Sequence, residues 1–401
     1  MTDLARATAP AAGGGTSKGI QFGKRPARQP ADGEILRLGQ VLGRTSGGIP
    51  VLLVLAFALT MSTESFLTGT NLDNLGRQVS IFAIIAVGQL IVILTAGIDL
   101  SVGSVVGLSG IVAAKVVYDT GGGLPIVGAV LLALLVGAAA GLINGLLVAF
   151  LKMPPFIVTL GMMGAARGAT LLLSDGRTVQ PLPDGFAEIG GGSLLGISHL
   201  TWLMVLITVF FALLLRRTVW GEYVYAVGSS AESARLTGVP VRRVLVSAYV
   251  LSGTLAAAAG VLLASRLGNG VPTSGNGYEL QAIAACVIGG ASLFGAKGSA
   301  LGALVGALVV GMLNNGGTLL GIDPFWLQIV IGVLILAAVA TEHVHNLRRG
   351  GKAKPVKDVP PSGVPEQPGE PLPAGGTPQP GPGTAGDETA GEPTPTKRAA
   401  P

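Results

Sequence analysis

The chain has 401 residues, 49% hydrophobic and 12% charged, with a mean hydropathy of +0.65 and a formal charge of +5. A soluble domain carries about 25% charged residues, so half that share at this hydropathy places the chain among polytopic membrane proteins. The 63 glycines follow no Gly-X-Y period, which excludes collagen; the single Cys286 excludes a disulfide framework or a Cys-rich metal site within one chain; and the charge is too modest to point to nucleic acid.

Residues 1–47 are polar, with Gly13-Gly14-Gly15, several prolines and seven Lys/Arg. They lack the short apolar region and small-residue cleavage site of a signal peptide and read as a disordered cytoplasmic tail. Ten apolar segments follow, at about 48–66, 78–97, 99–118, 124–151, 155–173, 199–215, 244–264, 280–293, 298–316 and 324–341. Most are near the roughly 20 residues a membrane-spanning helix needs; 280–293 is short. The predicted fold class is therefore all-α: a polytopic transmembrane helical bundle of about ten helices, with a membrane domain over 48–341.

The second and third segments are separated by almost nothing. An apolar run ends on Gly97, Asp99 follows, and a new apolar run begins at Ser101-Val102-Gly103-Ser104. Gly97 suits the left-handed position that closes a helix, and Asp99 suits the N-cap of the next. Such a broken helix is tolerated at membrane depth only where protein or a watery cavity shields the backbone. Asp99 reads either as this cap or as a functional intramembrane acid; no matching intramembrane acid or histidine accompanies it as in a proton relay.

Lys and Arg set the orientation. With both tails inside, the cytoplasmic pieces hold 21 of the 26 Lys/Arg, and the outer side keeps Arg77, Lys115, Arg167, Arg177 and Arg266. Arg167 is expected to snorkel to the outer interface. The outer loop 174–198 carries turn signals. The inner loop 216–243 contains Ser229-Ser230-Ala231-Glu232, a capping box, and Gly238-Val239-Pro240, a helix stop. These bound a short cytoplasmic helix of about two turns at 230–237. Residues 342–401 are rich in Pro, Gly, Glu and Thr and read as a second disordered cytoplasmic tail.

Small residues recur at a spacing of four in Gly137, Gly141 and Gly145 and in Gly298, Gly302 and Gly306, a pattern for close helix packing. Gln89, Asn144, Asn314 and Asn315 are neutral polar groups in or near apolar helices. They suit either hydrogen bonds to a solute in a central pathway or bonds between helices. Gly290 to Ser299 superficially resembles a phosphate-binding loop, but Ala296 and Gly298 break the required Gly-Lys-Ser/Thr adjacency, so a tight turn is expected. His343 and His345 lack a third metal ligand nearby. No catalytic constellation is present in the sequence.

These residues also carry a family resemblance. Gly97-Ile98-Asp99-Leu100-Ser101-Val102-Gly103-Ser104 resembles the signature of the ribose/xylose/galactoside-type permeases of bacterial ATP-binding-cassette (ABC) importers. So do the stretch Pro155 to Met163, Ala166-Arg167-Gly168, Val287 to Gly295 ahead of Gly298, and Ala226 to Gly238, in the same order along 48–341. The resemblance implies a non-catalytic permease subunit, two copies of which form the path. It implies partners: a separate ABC ATPase pair docking below, where ATP and Mg would bind, and an extracytoplasmic sugar-binding protein docking above. The short helix then becomes the coupling element, comprising Ser230, Ala231, Glu232, Ser233, Ala234, Arg235, Leu236, Thr237 and Gly238. The candidate path or helix-break set is Gln89, Gly97, Asp99, Ser101, Asn144, Asn314 and Asn315. No cofactor or metal is expected on this chain. The expected function is import of a ribose- or xylose-like sugar across the cytoplasmic membrane, within membrane lipid and with both termini inside. The alternatives are an ion-coupled secondary transporter and a scaffold acting through its tails.

Overall fold

The computed structural model of the chain describes residues 48–120 and 126–350; the side chains of 338 and 341–350 are not among those described. The predicted tails 1–47 and 342–401 lie outside the described residues except for 342–350, whose backbone continues the last helix to Gly350 where a tail was expected; the side chains of His343 and His345 are not described. The described chain is almost entirely helical. Its elements are α1 Gly48–Ser62, α2 Gly69–Leu94, α3 Val102–Asp119, α4 Ile126–Phe150, α5 Pro155–Ser174, α6 Asp184–Gly191, β1 Ser193–Leu194, β2 Ile197–Ser198, α7 His199–Arg217, α8 Val219–Ser229, α9 Ala231–Leu236, α10 Val241–Leu267, α11 Tyr278–Ile288, α12 Ala300–Leu319 and α13 Pro324–Gly350.

Seven of these (α2, α3, α4, α5, α7, α10 and α12) are long and apolar enough to cross a membrane, and three shorter apolar helices (α1, α11 and the first part of α13) bring the apolar set to ten. Each matches one predicted segment. The largest boundary differences are at α2, which starts at Gly69 rather than 78, and at α13, which ends at Gly350 rather than 341. The first turns of α2 carry Asn71, Asp73, Arg77 and Gln78, which lower local hydropathy; the first three have protein partners. The Thr68 side chain caps the Asn71 N–H, and Arg77 pairs with Asp73 at 2.7 Å and donates to the carbonyls of Gly190 and Gly191.

Burial explains the layering. α2 is buried along nearly its whole length, whereas α4, α5 and α7 keep long apolar faces exposed, as lipid-facing helices do. Helices approach closely where glycines remove the Cβ. On α4, a Cβ at Gly137, Gly141 or Gly145 would run into Gly253 O, Tyr249 O or Val246 Cα of α10. Gly302 and Gly306 of α12 meet Gly289 O and Ala285 O in the same way. Gly298, grouped with them by spacing, precedes α12 and takes φ 149 in the turn instead.

The bundle has two differently furnished ends. At one, α6 packs on the C-terminal end of α10, where Ser265 Oγ accepts the Gly190 N–H at 2.7 Å. A small hairpin follows, with Ser193 opposite Ser198 and Leu195-Gly196 at its tip. At the other end lie α8, α9, the N-terminus of α10 and both inter-helix turns, 95–101 and 289–299. Trp220 of α8 donates to Ser247 of α10 at 2.9 Å there. The segment 268–277 leaves the first end and runs down the α3 groove, approaching Gly107 through Ser274 O and Gly103 through Gly275 O. Arg167 does not snorkel outward. Its Nη1 donates to Pro272 O and Ser274 O, both at 3.2 Å, and clasps this segment to the bundle.

Candidate functional site: the interrupted helix and the exposed helix α9

Between α2 and α3 the backbone leaves helical geometry for only a few residues. The left-handed residue is Ala96, φ 62, and not the expected Gly97. Gly97 serves a different need: a Cβ there would stand 2.7 Å from Tyr249 Oη and 3.0 Å from a Val92 methyl. Asp99 is not the N-cap either. Ser101 occupies that position, and the Asp99 carboxylate folds forward onto it. Oδ1 accepts from Ser101 N at 2.9 Å and from Ser101 Oγ at 2.6 Å, while Oδ2 accepts from Ser252 Oγ at 3.1 Å. Asp99 is 1% exposed and has no ion-pair partner among the described residues, so these three donors carry its satisfaction.

Four helices stitch the break. From α2, the Gln89 amide, oriented to satisfy its neighbours, donates to Asp99 O at 2.9 Å and accepts from Asp99 N at 3.3 Å. From α4, Asn144 Nδ2 donates to Ser101 Oγ at 3.0 Å. From α5, Thr159 Oγ1 shares its proton between Pro155 O at 2.9 Å and Ile98 O at 3.2 Å. From α10 comes Ser252. Gln89, Gly97, Asp99, Ser101 and Asn144 thus form one buried cluster. Asn144 Oδ1 and Tyr249 Oη are buried within it without a hydrogen-bond partner.

Asn314 and Asn315 lie elsewhere. Asn315 of α12 forms a reciprocal amide pair with Asn71 of α2, at 2.8 and 3.1 Å, and Asn314 donates to Val310 O at 2.9 Å within its own helix. Thr159, Tyr249, Ser252 and Asn71 are partners that the sequence did not single out. Ser252 is separated from Asp99 by 153 positions, and no local pattern carries such a pairing.

At the end of the bundle, Ser230 is at once the C-cap of α8 and the N-cap of α9, accepting the Ser233 N–H at 3.2 Å. The predicted capping box does not form. Glu232 reaches forward to Arg235 Nη2 at 2.6 Å rather than back to the cap. That hydrogen bond, reinforced by the guanidinium charge, holds the Glu232 carboxyl below its usual range. At the C-terminus Gly238 takes φ 87, its N–H donates to Arg235 O at 3.1 Å, and Val239 N donates to Ala234 O at 3.0 Å. This double closure is the Schellman arrangement. α9 is thus fixed at both ends, with Ala234 buried against the bundle and Leu236 75% exposed.

Among the described residues, no three His, Cys, Asp or Glu side chains gather as metal ligands. The break is a buried, hydrogen-bonded polar cluster, and α9 is an exposed short helix closed at both ends.

Comparison with known proteins identifies the setting. Residues 71–339 match the family described as the permease component of a branched-chain amino acid transport system. The ribose import permease protein RbsC of Escherichia coli (strain K12) is 42% identical over 302 residues, covering 74% of this chain and 92% of that protein. The L-arabinose ABC transporter permease protein AraH of Azospirillum brasilense is 39% identical over 315 residues, 78% of this chain and 91% of that protein. The fructose import permease protein FrcC of Rhizobium meliloti is 41% identical over 300 residues, 73% of this chain and 82% of that protein. No solved structure matches the chain significantly. These relatives set aside the ion-coupled alternative. With the family match spanning most of the chain and a bundle of apolar helices to embed it, the protein belongs to this family of transport-system permease components and is a multi-pass membrane subunit of an ABC importer.

Proposed function

We propose that the chain imports a monosaccharide as the membrane-spanning, non-catalytic half of an ATP-driven transporter. The observation that carries this reading is α9. It is a doubly capped helix presented with an exposed Leu236, at the end of the bundle that also holds both inter-helix turns. A separate ATPase, where ATP and Mg bind, grips this handle, and closure of the ATPase favours one of two arrangements of the bundle. Two copies of the chain enclose the path within the lipid, and an extracytoplasmic sugar-binding protein delivers solute at the end carrying α6 and the hairpin. Both termini are then cytoplasmic. The buried polar atoms left unpartnered at the break, Asn144 Oδ1 and Tyr249 Oη, support that segment as the movable one, because each orphan costs about 1–3 kcal/mol in this arrangement.

Sugar is favoured over branched-chain amino acid as cargo because relatives 39–42% identical to the chain are named for ribose, L-arabinose and fructose. The decisive test is reconstitution of the chain with its ATPase and binding protein in vesicles. ATP-dependent uptake of labelled ribose, arabinose or fructose, insensitive to an uncoupler, is expected. Uptake of leucine instead of any sugar overturns the cargo, and uptake that collapses with the uncoupler overturns the mechanism.

A further inference from the structure

We propose that Gly228 and Tyr225 of α8 are positioning residues through which α9 moves both interrupted segments of the bundle together. This rests on the reading of α9 as the ATPase-docking helix.

α8 ends where three backbone segments meet. A Cβ on Gly228 would collide with Leu94 O and stand 2.8 Å from Ala296 N. Those two groups are themselves hydrogen-bonded at 3.0 Å, joining the end of α2 to the 289–299 turn. The packing is reciprocal, since a Cβ on Gly295 would stand 2.7 Å from Gly228 O and 2.9 Å from Ala96 Cβ. One turn earlier on α8, Tyr225 Oη donates to Gly298 O at 2.9 Å, a second tie to the same turn. Gly228 precedes by two residues the Ser230 that caps α9, so no flexible linker separates handle from junction. Both broken segments hold a non-glycine residue in left-handed geometry at this junction, Ala96 at φ 62 and Ala296 at φ 57. Such strain gathers at elements with two arrangements. A tilt of α9 therefore presses one backbone point that belongs to both segments. The turn before α3, with Asp99, and the turn before α12 are then displaced as a unit.

Packing alone would make Gly228 no different from Gly306, whose Cβ would collide with Ala285 O away from this junction. The test uses the complete transporter and reads sugar imported per ATP hydrolysed, in complexes that co-purify with the ATPase. Tyr225→Phe keeps the ring and removes the hydroxyl that bonds Gly298 O; it is expected to assemble normally and lower that ratio about three- to tenfold. Gly228→Ala is expected to lower it further, whereas Gly306→Ala reduces yield and leaves the ratio unchanged. A wild-type ratio in Tyr225→Phe overturns the proposal whether or not Gly228→Ala assembles, and so does an equal drop in Gly306→Ala. If the unmodified chain never co-purifies with an ATPase, the docking reading fails first; normal co-purification with an unchanged ratio fails the relay alone.

Discussion

Gln89 holds Asp99 by its backbone, not by its carboxylate: one side-chain amide pairs with both the carbonyl and the N–H of a residue outside any helix. The Asp99 carboxylate is thereby free to accept from Ser101 and Ser252, so each of its oxygens has a partner. Gln89→Leu would leave two buried backbone groups orphaned, each costing about 1–3 kcal/mol. A clear fall in the thermal midpoint of the detergent-purified protein is expected. Asp99→Asn keeps an acceptor for Ser101 and should be tolerated far better than Asp99→Ala, which strands three donors. Equal midpoints for the two Asp99 variants would show that the carboxylate is not what secures the break.

The Asn71–Asn315 pair calls for a double-mutant cycle. Either residue changed to Leu leaves its partner's amide buried and unpaired, for a loss of about 1–3 kcal/mol, while changing both should recover much of it. Losses that simply add would show that the two amides do not depend on each other.

Glycines divide by what surrounds them. Gly253→Ala drives a Cβ into Gly137 O and should sharply reduce folded protein, whereas Gly161→Ala on α5 meets nothing within 4 Å and should leave yield unchanged. Fluorescence-detected size-exclusion of both variants checks this, and similar yields would contradict the close α4–α10 packing.

The integrity of α9 rests on its caps more than on its ion pair. Glu232 and Arg235 are exposed, and such pairs contribute little. Because the Glu232 pKa is depressed, the small contribution of this pair is present at neutral pH and fades only as acid protonates the carboxylate. Glu232→Gln should therefore leave transport near wild type, while Ser230→Ala, at about 1 kcal/mol for a lost cap, and Gly238→Ala, which strains φ 87, should each weaken it. Uptake assays on the three variants decide this; a larger loss in Glu232→Gln than in Ser230→Ala would reverse the order.

Much of the fold was legible because a bilayer imposes long apolar runs, and all ten segments have a helix. The bounds of α9 were legible because Ser230 and Gly238 act locally. What escaped was of two kinds. Ala96 takes the left-handed position although Gly97 is adjacent, because Gly97 is needed where Tyr249 Oη and Val92 leave no room for a Cβ. The partners of the break, Thr159 and Ser252, come from distant helices, and Arg167 finds carbonyls of a segment folded back into the bundle. Such meetings are set by tertiary packing and leave no periodic trace. Asn315 illustrates the remaining ambiguity: a polar residue in an apolar helix suits a solute or a neighbour equally well, and here the neighbour is Asn71.

The most direct test of the central claim is the Ala234→Pro variant, which removes the Ala234 N–H to Ser230 O bond inside α9. Sugar uptake and ATP hydrolysis are measured together at matched amounts of membrane-inserted protein. The account predicts insertion at normal levels with ATP-driven uptake abolished. Uptake equal to wild type at equal expression would contradict it.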